Sequence, residues 1–228
     1  MLLNQLLGQV SEQQRKVLER VDKNSGDLLE LVDNVLILSS LNAGEVAILL
    51  EEFEVGAMLN DCVKRYEKLI EKKAIEVAVE SPTDLKMIGD PRKVSRIVQN
   101  LLHNAIKFTP AGKINLRVRR ATEKCALKIE ILDTGMGMPQ QHIERMFQPF
   151  QQMDSSANRQ FSGLGLGLTV AHRLTNFLGG TLEIESQQDA GTHVTLHLPD
   201  RPLLTEFGQS TNSVDGVNAA DSITKGLI

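Results

Sequence analysis

The spacing of apolar residues changes along this 228-residue chain, and that change limits the folds it can adopt. Before residue 44, apolar side chains recur at three- and four-residue steps, which predicts one long helix over residues 10–42. After residue 44, alternating strand patterns mix with helical patterns. This mixture predicts an α+β fold: a two-layer sandwich with a mixed, mostly antiparallel sheet of about five strands, covered by about three helices.

The patterns after residue 44 also place individual elements. Strands are predicted over residues 45–53, 75–80, 113–121, 125–133, 181–186 and 192–199. Helices are predicted over residues 55–74, 91–108, 140–147 and 166–180. We expect three units: a helical segment over residues 1–44, a domain over residues 45–200, and a flexible tail or linker over residues 201–228.

Composition and charge exclude several classes of protein. The net charge of −4 and the lack of a long basic run make nucleic acid an unexpected partner. No stretch approaches the roughly 20 apolar residues that cross a bilayer, so no membrane contact is expected within this chain. The two isolated cysteines, Cys62 and Cys125, and the absence of a signal peptide pattern favour a cytoplasmic protein.

The helix predicted over residues 91–108 carries a polar face. Asn100, Asn104 and Lys107 are spaced four and three residues apart, so they share one side of the helix. Two carboxamides beside one ammonium group suit a hydrated magnesium ion that carries phosphates. A polar stripe of this kind is also typical of a solvated helix face, and the spacing alone leaves both interpretations open.

The segment ILDTGMGMP joins a strand to a glycine-containing loop. Asp133 ends the strand, and Gly135 and Gly137 would let the backbone come close to a flat ligand. A buried carboxylate at this place can accept a hydrogen bond from an exocyclic amine, such as the 6-amino group of adenine. Tight turns use the same tripeptide, whereas an aspartic protease would need two copies of it, and this chain has one.

Glycines at alternate positions precede the last predicted helix. Gly163, Gly165 and Gly167 would present backbone N–H groups and a helix N-terminus to an anion. The segment is neither a Walker A loop nor a dinucleotide fingerprint. By itself, such a glycine repeat is more typical of a flexible loop.

The order of five segments is more specific than any one of them. NLLHNAIKFTP, DTGMGMP, FQPF, GLGLGL and Gly191-Thr192 together resemble the nucleotide-binding domain of hybrid-type sensor histidine kinases. This domain belongs to the superfamily of the gyrase, heat-shock chaperone and mismatch-repair ATPases, and the resemblance covers about residues 46–199. The segment DNVLILSSLNAGEV is similar to the second helix of the family's dimerisation and phosphotransfer domain.

The resemblance implies ATP and Mg²⁺ as cofactors and assigns roles to individual residues. Asn104 matches the magnesium-ligating asparagine, with Asn100 one turn earlier, and Lys107 matches the lysine that contacts phosphate. Phe108 would lie beside the adenine that Asp133 reads. The remaining matches shape the pocket floor (Gly135, Gly137), begin the nucleotide lid (Phe147, Phe150), approach the phosphates (Arg159), close the lid (Gly163, Gly165, Gly167) and lie near adenine (Thr192).

The resemblance also implies an activity and partners. The implied activity is transfer of the γ-phosphoryl group of Mg-ATP to a protein histidine within a two-component system. Relatives that hydrolyse ATP carry a glutamate general base where this chain has Asn100, and an amide cannot take up the proton. The implied partners are a second copy, bound through the N-terminal helix, and a response-regulator receiver domain in the same or another chain. The chain would then be cytoplasmic, either by itself or as part of a longer membrane-bound sensor.

Two features depart from the family pattern. Ser162 and Leu164 replace a glycine and a threonine at the end of the lid, which is expected to alter lid closure. The family's histidine-containing acceptor block is not in this sequence, so the acceptor is expected upstream of Met1, or the native protein lacks one. A non-catalytic nucleotide-sensing regulator that dimerises with another kinase therefore stays open as an alternative. A serine-kinase anti-sigma factor shares the pocket but would not need the helix over residues 10–42.

Overall fold

The computed structural model describes residue 8 and residues 10–120, 127–143, 145–147, 149 and 165–199. Its helices are α1 Glu12–Ala43, α2 Val55–Lys64, α3 Glu67–Lys73, α4 Pro91–Phe108, α5 Gln140–Ile143 and α6 Gly167–Phe177. Its strands are β1 Glu51–Glu54, β2 Ile75–Glu80, β3 Lys86–Gly89, β4 Gly112–Arg119, β5 Leu127–Asp133, β6 Thr181–Gln187 and β7 Gly191–Leu198. The predicted α+β class is confirmed.

Helix α1 is one continuous element of 32 residues, close to the predicted span. At its start, Ser11 Oγ accepts a hydrogen bond from the Gln14 backbone N–H, and Gln14 Oε1 accepts one from the Ser11 backbone N–H. This capping box satisfies two of the N–H groups that a helix end leaves unpaired. The helix ends at Gly44, whose φ of 69° is the left-handed conformation that glycine adopts without strain.

The main sheet has five strands in the order β2-β4-β5-β7-β6. The β2–β4 pair is parallel and the other three pairs are antiparallel, which confirms the predicted mixed, mostly antiparallel sheet. One face of the sheet is covered by α2, α4 and α6. The core between these two layers is almost entirely aliphatic, and its largest fully buried side chains include Leu59, Ile97, Leu102, Ile106, Ile114, Leu116, Ile129, Ile131, Leu178 and Leu196.

The strand predicted over residues 45–53 is wrong for most of its length. Only Glu51–Glu54 forms a strand, and it pairs with β3, which the sequence patterns did not predict, in a separate two-stranded sheet. Leu49 and Leu50 are exposed, so their apolar character does not mark a buried strand. Residues 45–50 instead lie along the start of α4, where Lys93 Nζ donates a hydrogen bond to the Ala47 carbonyl at 2.7 Å.

Three predicted helices are shorter than expected, and the one predicted over residues 166–180 is Gly167–Phe177. The helix predicted over residues 55–74 is divided into α2 and α3 by a turn at Arg65 and Tyr66. The turn brings Tyr66 against α4, where its hydroxyl donates to the Gln99 carbonyl at 3.3 Å and its ring stacks on His103 at 5.6 Å between centroids. Of the described residues in the helix predicted over residues 140–147, Gln140–Ile143 are helical and residues 145–147 form a turn.

Asp90 caps α4 and also holds the segment that leaves α1. Its buried carboxylate accepts hydrogen bonds from the Lys93 backbone N–H (3.1 Å), Lys93 Nζ (2.6 Å) and the Leu49 backbone N–H (3.1 Å). Burial alone would raise the pKa of Asp90, but these hydrogen bonds outweigh it and hold the pKa below its usual value. The observed helix, Pro91–Phe108, has the span predicted from the sequence, with proline at its first position.

One side of α1 packs against the domain. Asn34 is buried and its Oδ1 accepts a hydrogen bond from Arg96 Nη2 of α4 at 2.9 Å. One turn earlier, Glu30 Oε1 lies 3.5 Å from His103 Nδ1, and this contact lowers the pKa of Glu30. Among the helices that the structure describes, α1 included, none is both long enough and apolar enough to cross a membrane.

Candidate functional site

Asp133 lies at the end of β5, directly opposite Thr192 of β7. Its Oδ1 accepts a hydrogen bond from the Gly135 backbone N–H at 2.9 Å, and its carboxylate also accepts one from the Thr192 backbone N–H. Burial raises the pKa of Asp133, and these two donors only partly oppose that effect. Because a carboxylate offers about four lone-pair positions, Asp133 can still accept hydrogen bonds from a ligand.

Gly135 and Gly137 let the loop after Asp133 approach other backbone segments. A Cβ at Gly135 would lie 2.5 Å from the Phe108 carbonyl oxygen, at the end of α4. A Cβ at Gly137, where φ is 59°, would lie 1.9 Å from the Gln187 carbonyl oxygen, at the end of β6. The sequence predicted close approach to a flat ligand; the close contacts present in the structure are with the protein itself, and they fix the position of the loop.

Ser186 connects this loop to the β6–β7 hairpin, and no local sequence pattern predicts its role. Its Oγ lies 2.8 Å from the Met138 backbone nitrogen, 3.0 Å from the Gly191 carbonyl oxygen and 3.0 Å from Thr192 Oγ1. Ser186 and Thr192 are paired directly across the hairpin. The alternation of strand residues could have placed both hydroxyls on one face, but only with the register known.

The polar face of α4 is not a solvated helix surface. Asn100 is only 5% exposed, and Asn104 and Lys107 are half-buried. Within the described part of the chain, the Asn100 side-chain nitrogen has no hydrogen-bond partner. Helix α6 begins beside it, since a Cβ at Gly167 would lie 3.6 Å from Asn100 Oδ1. The structure thus brings the predicted asparagine together with the first residue of the helix that follows the glycine repeat.

The C-terminal end of α4 is held by Lys73, which no sequence motif predicts. Its Nζ donates to the carbonyl oxygens of Ile106 (2.6 Å), Lys107 (3.0 Å) and Thr109 (3.3 Å). These are groups that a helix end leaves without partners in the helix, and a cation satisfies them well. The last turn fixed in this way carries Lys107, whose Nζ lies 5.0 Å from the centre of the Phe108 ring.

The remaining predicted residues are distributed around α6 or lie outside the described residues. Phe147 stacks on His172 of α6 with 4.3 Å between ring centroids, and burial lowers the pKa of His172. Gly165, with φ of 70°, comes two residues before Gly167, where α6 begins. Three of the predicted lid residues lie outside the described residues: Phe150, Arg159 and Gly163.

The donor set on α4 fits a hydrated magnesium ion better than a metal held by protein alone. In the ranges that the structure describes, no group of three or more His, Cys, Asp or Glu side chains could enclose a metal ion. The Asn100 side-chain nitrogen has no hydrogen-bond partner among the described residues. Rotation of the amide by 180° would put its oxygen, a possible metal ligand, in the place of that nitrogen. Mg²⁺ keeps several waters and needs few protein oxygens, so Asn100 and Asn104 suit it.

Comparisons with known proteins agree with this arrangement. Residues 89–202 match the family described as "Histidine kinase-, DNA gyrase B-, and HSP90-like ATPase". The signal transduction histidine-protein kinase BarA of Escherichia coli K12 is 32% identical over 216 residues, which cover 91% of this chain and 23% of BarA. The circadian input-output histidine kinase CikA of Synechococcus elongatus is 31% identical over 222 residues, which cover 96% of this chain and 29% of CikA.

A solved structure shares the fold over most of the chain. The crystal structure of full-length ShkA in complex with AMPPNP superimposes with a TM-score of 0.71 at 24% identity, over 87% of this chain and 41% of ShkA. This chain therefore spans less than half of ShkA and less than a third of either curated relative. The family match covers the segment from the end of β3 through β7, which includes every predicted site residue that the structure describes; Lys73 lies before it. The chain belongs to the histidine kinase-, DNA gyrase B- and HSP90-like ATPase family.

Proposed function

We propose that this chain is the ATP-binding core of a protein-histidine kinase in a two-component signalling system. It would transfer the γ-phosphoryl group of Mg-ATP to a histidine outside this chain. The observation that carries the proposal is that two unlike sets of groups lie where the loop after Asp133 packs against the end of α4. One set is the Asp133 carboxylate with Thr192 across the strand pair. The other set is the amides and the ammonium group on α4 itself, at Asn100, Asn104 and Lys107.

The first set suits the adenine base. The Asp133 carboxylate has lone pairs left after binding two backbone N–H groups, so it can accept a hydrogen bond from the 6-amino group. Thr192 is its neighbour across the strand pair. Gly135 and Gly137 hold the floor of the pocket against α4 and the hairpin, and Phe108 supplies an aromatic ring beside the base.

The second set suits the phosphates. Asn104 and Asn100 would hold magnesium, which when bound neutralises phosphate charge, and Lys107 would add a positive charge. The start of α6, next to Asn100, offers backbone N–H groups to an anion. The lid roles of Phe147, Phe150, Arg159, Gly163, Gly165 and Gly167 belong to the same proposal.

Asn100 favours phosphoryl transfer over hydrolysis. Its amide cannot accept a proton from an attacking water at neutral pH, so the site has no general base at this position. A histidine side chain that attacks the γ-phosphorus with a neutral ring nitrogen does not need that base. The names of BarA and CikA, both histidine kinases, agree with this choice.

Two measurements test the function. Titration calorimetry should show ADP binding that strengthens with Mg²⁺. Labelled ATP, Mg²⁺ and a separately supplied acceptor domain from a relative such as BarA should then give acid-labile, alkali-stable label on that domain, and Asp133→Asn should reduce it. Binding without transfer to any acceptor domain would support the regulator alternative, and the absence of ADP binding would contradict the proposal.

We also propose that residues 1–44 form a dimerisation segment, residues 45–200 the catalytic domain and residues 201–228 a linker. Contacts with the domain lie on the Glu30, Asn34 and Leu41 side of α1. The opposite side is apolar and exposed, at Val17, Val21, Leu28, Leu29, Val32, Val35 and Leu36. An apolar stripe of this length is stabilised when a second helix covers it, so a homodimer through α1 is the proposed state.

The dimer is testable by its mass in solution. Leu28→Glu places a charge in the stripe, where Leu28 is 59% exposed, and should shift the chain from dimer to monomer in light scattering with little change in domain stability. Lys16→Glu, an exposed change on the other side of α1, is the matched control and should leave the dimer intact. A response-regulator receiver domain is the proposed second partner. The proposed location is the cytoplasm, because the proposed activity uses ATP.

A further inference from the structure

We infer that Ser186 fixes the direction of the Thr192 hydroxyl hydrogen bond and thereby makes the base pocket select 6-amino purines over 6-oxo purines. The inference rests on the proposed function, since it concerns the same base pocket. It assigns a positioning role to a residue that lies behind Thr192 in the β6–β7 hairpin.

The three contacts of Ser186 determine where its proton lies. The Gly191 carbonyl oxygen, at 3.0 Å, cannot donate, so the Ser186 hydroxyl must donate to it. The Met138 backbone N–H, at 2.8 Å, cannot accept, so it donates to Ser186 Oγ and occupies one lone pair. Ser186 has a single proton, which is now used, and one lone pair left.

The hydroxyl of Thr192 must therefore donate to Ser186. The two oxygens are 3.0 Å apart, and only the Thr192 proton is available to lie between them. With that proton committed, Thr192 Oγ1 presents only lone pairs in other directions. Ser186 thus converts a hydroxyl, which can normally donate or accept, into a fixed acceptor.

A fixed acceptor next to Asp133 discriminates between purines. Asp133 lies directly across from Thr192 and is itself an acceptor, so both groups present lone pairs to the edge of the base. An adenine 6-amino group has two protons to donate, whereas the 6-oxo group of hypoxanthine or guanine has none. A 6-oxo purine would leave acceptors facing acceptors, which costs affinity because buried polar groups stay unpaired.

Removal of the Ser186 hydroxyl should relax this selection. In Ser186→Ala, the Thr192 hydroxyl is free to rotate and donate to a 6-oxo group. The ratio of inosine diphosphate affinity to ADP affinity should rise by about three- to tenfold, the size of one hydrogen bond. Titration calorimetry of both nucleotides with Mg²⁺ on the intact chain measures that ratio directly.

Two further variants separate selection from general weakening. Ser81→Ala removes a Ser hydroxyl that donates an exposed hydrogen bond to the Pro82 carbonyl at 3.2 Å, and it should leave both affinities unchanged. Thr192→Val removes the hydroxyl that Ser186 is inferred to orient. Adding Ser186→Ala to Thr192→Val should then leave the ratio unchanged, since no hydroxyl remains to redirect.

The outcomes distinguish this inference from the proposed function. If Ser186 merely supports the loop, Ser186→Ala will lower the affinities for both nucleotides by the same factor. An unchanged ratio of inosine diphosphate affinity to ADP affinity would therefore overturn the inference. It would leave the proposed function intact, provided that the unmodified chain binds ADP. A change in ratio that persists on the Thr192→Val background would also overturn it. Failure of the unmodified chain to bind ADP would instead contradict the proposed function.

Discussion

The two sides of the candidate site are built differently. On the Asp133 side, the carboxylate and the Ser186 and Thr192 hydroxyls all have hydrogen-bond partners within the protein. On the α4 side, the Asn100 amide nitrogen is buried and has no partner among the described residues. The comparison indicates that the proposed base pocket is formed before a ligand binds, whereas the proposed phosphate side is completed by one.

This difference has an energetic consequence. A preformed pocket adds affinity because little ordering is needed on binding. An unpaired buried amide costs stability until a ligand or water satisfies it. Substitutions on the first side should therefore disturb the folded protein and nucleotide binding together, while substitutions on the second side should affect binding more than stability.

Gly137→Ala should have the largest effect. The new methyl group would lie 1.9 Å from the Gln187 carbonyl oxygen at a residue with φ of 59°, so the loop or the hairpin must move. We expect loss of measurable ADP binding and a destabilisation on the order of 3 kcal/mol or more. Calorimetry and urea unfolding measure the two effects.

Gly26→Ala is the control for this substitution. Gly26 lies inside α1, and a Cβ there meets nothing within 4 Å. Alanine should stabilise the helix by up to about 1 kcal/mol and leave ADP binding unchanged. If Gly137→Ala behaved in the same way, the base pocket could not be described as fixed by backbone contacts.

Asp133→Asn should reduce ADP affinity by roughly tenfold to a hundredfold, because part of an acceptor becomes a donor facing the adenine amine. Asp189→Asn is the matched control: Asp189 is exposed in the hairpin turn, and its left-handed φ of 62° is tolerated by asparagine. Equal ADP affinity in the two variants would remove Asp133 from the site.

The same substitution should change how stability depends on pH. Burial raises the pKa of Asp133 in the folded state above its usual value of 3.8, so the folded state binds this proton more tightly than the unfolded state does. The contribution of Asp133 to stability therefore falls as pH rises from 3.8 through the folded pKa. Asp133→Asn should lose this dependence, which urea unfolding from neutral to acidic pH would detect.

Asn100→Ala should reduce affinity for Mg-ADP by about tenfold and have little effect on ADP without Mg²⁺. Stability should change by less than about 1 kcal/mol, because the small cavity is offset by removal of an unpaired amide. Gln99→Ala, on the same helix, removes an amide whose nitrogen donates to Ser95 Oγ at 2.9 Å. That control should not alter the response to Mg²⁺.

Lys73→Met should give the smallest change in affinity. It removes the cation that binds three carbonyl oxygens at the end of α4, so the last turn should loosen and ADP affinity should fall by about two- to threefold. Lys72→Met, at the exposed neighbouring lysine, is the matched control. If Lys72→Met lowered ADP affinity more than Lys73→Met did, the positive charge of this segment would determine ADP affinity, and the contacts of Lys73 with the end of α4 would not.

The sequence predicted best what depends on nearby residues. The start of α4 follows from Asp90 and Pro91, and the strands of the five-stranded sheet follow from alternation within each segment. Strand β3 and its pairing with β1 are not predicted, because β3 has only four residues and the pairing, such as Glu51 with Gly89, joins distant parts of the chain. A pattern of that length cannot be separated from irregular chain by periodicity.

The same limit applies to the candidate site. Asn100, Asn104 and Asp133 stand in recognisable segments, so the sequence predicts them without knowledge of their contacts. The contacts of Ser186 depend on the register of the β6–β7 hairpin. Those of Lys73 depend on the packing of α3 against the end of α4. The spacing of neighbouring residues predicts neither. The assignments at Phe150, Arg159 and Gly163 stay predictions.

Asp90 couples two events that would otherwise be independent. Its carboxylate caps α4 by accepting from the Lys93 backbone N–H. It also holds residues 45–50, here called the strap: it accepts from the Leu49 N–H directly, and it binds Lys93 Nζ, which donates to the Ala47 carbonyl. Detachment of that strap would leave a buried charge with fewer donors and weaken the cap in the same step. Release of the chain after α1 and fraying of the first turn of α4 are therefore cooperative, so hydrogen exchange should report them with a common opening free energy.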